Sequence, residues 1–105
     1  MSTPQRAESR VLDREEGEMV ARTHLPALRD ETDGELAELI RYLRDRRSRA
    51  RDIARQQRRE MRGKSPPSGA LVATDNTGTR EKGALLGEAL KRASKESGRR
   101  HHTAG

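Results

Sequence analysis

Ten of the nineteen arginines in this sequence fall between residues 41 and 62. Arginine is the side chain best suited to gripping an anion. Its planar guanidinium stays charged and offers five donors in a fork that matches phosphate or carboxylate oxygens. On a wheel of 100° per residue, Arg41, Arg44, Arg51, Arg55, Arg58, Arg59 and Arg62 share an arc of roughly 100°. At 1.5 Å per residue they form a stripe about 30 Å long. The rest of the segment sorts with equal order. Leu36, Ile40, Leu43, Ala50, Ala54 and Met61 recur in steps of three and four, the heptad spacing of an interaction seam. Arg47 and Gln57 are weak members of that seam, and Leu39 and Ile53 widen the apolar arc. Glu38, Asp45, Asp52 and Glu60 take the remaining side.

Two kinds of partner fit such a stripe. One is nucleic acid, gripped through its phosphates with little sequence specificity, because backbone contacts position a protein without reading bases. Tyr42 is the only aromatic residue in the chain, so base stacking has almost nothing to work with. The other is an acidic protein surface, this chain's own included. Residues 1–40 carry a net −5, residues 41–62 a net +7 and residues 63–105 a net +4. The acidic runs Asp13 to Glu18 and Asp30 to Glu38 can therefore answer the stripe, within one copy or across an antiparallel homo-oligomer. A helical protein-protein interaction module is the alternative to the nucleic-acid reading, and both stand at the level of sequence.

Other chemistry finds little support. His24, His101 and His102 have no cluster of carboxylates or thiols beside them, and a structural metal site needs four ligands. Asp75 to Arg80 precedes a helix as an anion site does, but no phosphate-loop pattern accompanies it. A catalytic carboxylate pair needs a pocket to shift its pKa values. The expectation is therefore no enzyme, no cofactor, no metal and no small-molecule substrate.

Composition explains why. Of 105 residues 38% are charged, and Phe, Trp and Cys are absent. Leu, Ile and Val number 15. Ordering a residue costs about 1–2 kcal/mol, and burying one aliphatic side chain returns about 1.5–3 kcal/mol, so fifteen cannot order the whole chain. Disordered ends or a second copy follow. Without cysteine there is no disulfide staple, which points to the cytoplasm. No run approaches the ~20 apolar residues of a membrane span.

The elements that position the stripe read as an all-α fold. A disordered lead covers residues 1–8. A first helix runs from about residue 9 to 21, capped by Ser9 and weakened by Gly17, and His24-Leu25-Pro26 ends it. Thr32 and Glu35 form a capping box for a long central amphipathic helix at about 32–62, stopped by Gly63. A Pro/Gly linker spans 63–78. A last helix, at about 79–97, puts Leu85, Leu86, Ala89, Leu90 and Ala93 on one face, and Gly98 closes it. Residues 98–105 are then a basic disordered tail. The short helices should lie on the apolar arc of the long one.

Overall fold

The computed structural model describes residues 11–63 and 77–104. Among them there is no strand. The helices are α1 (Arg14–Ala21), α2 (Ala27–Asp30), α3 (Asp33–Gly63) and α4 (Thr77–Ala104). The fold is all-α, dominated by one long central helix, as the sequence periodicity requires. The disordered lead, most of the linker and Ser9 lie outside the described residues.

Local chemistry sets each boundary. The Thr32 amide donates to Glu35 Oε1 at 2.8 Å, and the Glu35 amide donates to Thr32 Oγ1 at 3.1 Å. This is the expected capping box, and the bond from the Thr32 amide also lowers the Glu35 carboxyl pKa. The cap of α1 departs from the sequence reading. Asp13, not Ser9, caps it, with Asp13 Oδ1 accepting from the Glu16 amide at 2.7 Å and Glu16 Oε1 accepting from the Asp13 amide at 3.0 Å.

The last helix is longer than expected at both ends. It begins at Thr77 and passes through Gly98 to Ala104, so the residues read as a tail are helical up to Ala104. The physical reason lies in Arg100. Its guanidinium donates to Glu96 at 2.8 Å and to Asp33 at 2.9 Å, and also to the backbone carbonyls of Leu28 and Arg29. Those bonds tie the last turns of α4 to the junction of α2 and α3, which offsets the weak helix propensity of one glycine.

Helices α3 and α4 form an antiparallel hairpin in one register. Arg100 meets Asp33 at one end, and Gly87 and Gly83 face Arg47 and Ala50 further along. Leu36, Leu39 and Leu43 of α3 are buried against Leu85, Leu86, Ala89, Leu90 and Ala93 of α4, with Leu12, Val20 and Leu28 completing the cluster. Most of the apolar arc is thus covered by the chain's own last helix, and Ile53 stays exposed. Leu36, Leu43, Ala50 and Ala54 are buried and Ile40 is half-buried, so these seam residues are core positions rather than an open surface. The Met61 side chain lies outside the described residues. Leu39, left out of the heptad seam, is fully buried.

Candidate functional site

The acidic N-terminal segment finds cations, but not those of the stripe. Glu16 is 3% exposed and its Oε1 sits 3.0 Å from Lys82 Nζ on α4. Glu15 pairs with Arg46 at 3.2 Å. Arg46 also lies over the Tyr42 ring, 5.2 Å from its centroid, within the range of a cation–π contact. Burial, then the neighbouring Glu15 carboxylate, push the Tyr42 phenol up to about 12. The one aromatic ring of the chain is therefore held under α1. Arg22 bonds Glu31, and Asp33 is taken by Arg100.

On the wheel of α3, Tyr42, Arg46, Arg49 and Ile53 form the flank nearest α1. The stripe lies on the opposite flank. Arg41, Arg44, Arg51, Arg55, Arg58 and Arg59 are all exposed. Among the described residues, Arg55 alone of these six has a carboxylate within ion-pair distance, Asp52 at 3.9 Å, with both side chains largely in solvent. Exposed pairs of that kind contribute about 0–1 kcal/mol. The side chain of Arg62 lies outside the described residues.

Where α3 and α4 meet on the stripe side, an open trough of about 1300 Å³ runs along the crease. Arg51, Arg55 and Arg58 line it from α3, together with Arg47. Arg80, Lys91 and Lys95 line it from α4, with Glu88 as the one carboxylate. Arg41, Arg44 and Arg59 stand outside it. Its floor includes Ala50, Ala54, Gly83, Ala84, Gly87 and Leu90. Small residues face small residues here: a Cβ on Gly83 would lie 3.7 Å from Ala50 Cβ. Neither helix raises a ridge along this stretch, so long basic side chains wall a shallow channel.

Sequence reasoning missed half of this surface. Arg47 looked like a defect in an apolar seam, yet Gly87 makes room for it; a Cβ there would come within 3.4 Å of Arg47 Nε. Arg80, Lys91 and Lys95 are spread along a helix and form no dense cluster in the sequence. Their spacing, with Gly83, Ala84 and Gly87 between, was the available signal.

Three chemical capacities follow from the arrangement. The cations can bind an extended anion. The wall guanidiniums can form paired hydrogen bonds to its oxygens. Electrostatic affinity of this kind is sensitive to salt. No family model, no curated protein and no solved structure matches the chain.

Proposed function

We propose that this chain is a small helical binding module, without catalytic activity, that engages nucleic acid through its phosphate backbone and with little sequence specificity. The observation that carries the reading is the division of charge. Glu31, Glu15, Glu16 and Asp33 pair with Arg22, Arg46, Lys82 and Arg100. The stripe arginines remain exposed on the other flank. A row of exposed guanidiniums favours a polyanion by counterion release. The half-buried Tyr42 ring, engaged by Arg46, supports backbone contact over base stacking.

Self-complementation has less behind it. Most of the seam that asked for a second copy is filled by α4, and Glu15, Glu16, Glu31 and Asp33, among the acids that were to answer the stripe, are engaged elsewhere.

The test is a titration of two unrelated labelled DNA duplexes and one structured RNA at 50 mM salt, with polyglutamate as competitor. The duplexes are expected to bind within a few-fold of each other, and polyglutamate to compete poorly. No binding to any of the three nucleic acids at that salt contradicts the proposal. So does displacement by polyglutamate at equal charge concentration, which is the behaviour of a module for acidic protein.

A further inference from the structure

The exposed arginines of α3 outline a broad surface, and its crease with α4 is concave. Seven cations and one carboxylate line that trough, a net +6. Among the described residues, none of Arg51, Arg58, Arg80, Lys91 and Lys95 has a carboxylate partner. From Arg47 to Arg58 the wall is about 16 Å long, and from Arg80 to Lys95 about 22 Å. Successive phosphates of a duplex strand advance about 3.4 Å along the helix axis and about twice that along the strand's own path, so about three or four consecutive phosphates span the trough.

We infer that the crease seats one strand of a nucleic-acid duplex, about three or four phosphates running between the α3 wall and the α4 wall. This rests on the backbone-binding reading above and moves its centre from the outer stripe to the crease. The occupant's shape follows from the trough. A compact anion reaches only a few of the cations, whereas a linear one meets both walls along their length. An acidic helix is about 10–12 Å across and would need apolar surface to bury. The floor gives it mainly alanine and glycine, which return little. A sugar–phosphate ridge needs only a shallow channel and charge on both sides.

The experiment compares two triple variants of the full chain, each removing three exposed cations. One is Arg80→Ala/Lys91→Ala/Lys95→Ala on the α4 wall. The other is Arg41→Ala/Arg44→Ala/Arg59→Ala on the outer stripe. Circular dichroism checks that both stay helical, and binding of a labelled 20-base-pair duplex is followed from 50 to 200 mM salt. The unaltered chain is expected to show a slope of log K against log salt of about −3, and the α4-wall variant about −1. The outer variant should keep its slope within about one unit. An outer variant that loses as much as the α4-wall variant, or an α4-wall variant with an unchanged slope, overturns the crease as the seat while leaving backbone binding in place. An unaltered chain that ignores the duplex but binds inorganic polyphosphate overturns the occupant. One that binds neither at 50 mM salt brings down both this inference and the function beneath it.

Discussion

Glu96 and Arg100 decide how α4 ends. Glu96 is buried, and hydrogen bonds from Arg99 and then Arg100 hold its carboxyl down to about 2, from an ordinary 4.5. A carboxyl with a depressed folded-state pKa binds its proton more readily in the unfolded chain, so acid favours unfolding. Its contribution is complete above about pH 4.5 and fades as pH falls toward 2. Denaturant midpoints at pH 5 and pH 2.5 should therefore differ, and Glu96→Gln should narrow that difference; an equal drop in both proteins would remove Glu96 from the explanation. A second residue-scale prediction concerns glycine. Gly98 is helical, exposed and has no atom within 4 Å of a would-be Cβ. Gly98→Ala should stabilise the fold by about 0.5–1 kcal/mol, read from the denaturant midpoint. Gly87→Ala should gain less, because Arg47 must give way.

At the scale of elements, the long helix was legible because its cap and its period agree. Thr32, Glu35 and an uninterrupted apolar arc pointed to one answer. The cap of α1 was equally written in Asp13 and Glu16, but Ser9 is the more familiar cap residue and drew the boundary upstream. The end of α4 was not legible. Gly98 is a stop signal locally, and only contacts with Asp33 and the α2 carbonyls, 65 or more residues away in sequence, override it. The same limit hid the trough, since a groove depends on which helix lies beside which. Leu86, fully buried between α3 and α4, should cost about 2–5 kcal/mol when truncated to Ala, lowering the thermal midpoint of the whole domain. Asp13→Ala removes a cap worth about 1 kcal/mol. Amide exchange should speed up over Arg14–Ala21 while the α3–α4 hairpin keeps its protection.

For the whole molecule, the charge map and the covering of the seam belong together. Helix α4 hides most of the apolar arc, and α1 neutralises the flank it occupies. The stripe arginines remain exposed on the opposite flank, and Leu25 and Ile53 are the large apolar side chains exposed among the described residues. Sedimentation at tens of micromolar should return a mass near the 11.8 kDa of one chain; a stable dimer would require a surface other than the heptad seam.

The claim that this chain binds nucleic acid by its backbone charge is tested most directly by the salt dependence of duplex affinity. With three or four phosphates neutralised, affinity should fall about a hundredfold between 50 and 200 mM salt, with the same slope for duplexes of unrelated sequence. A slope near zero, or one that changes with sequence, would contradict it.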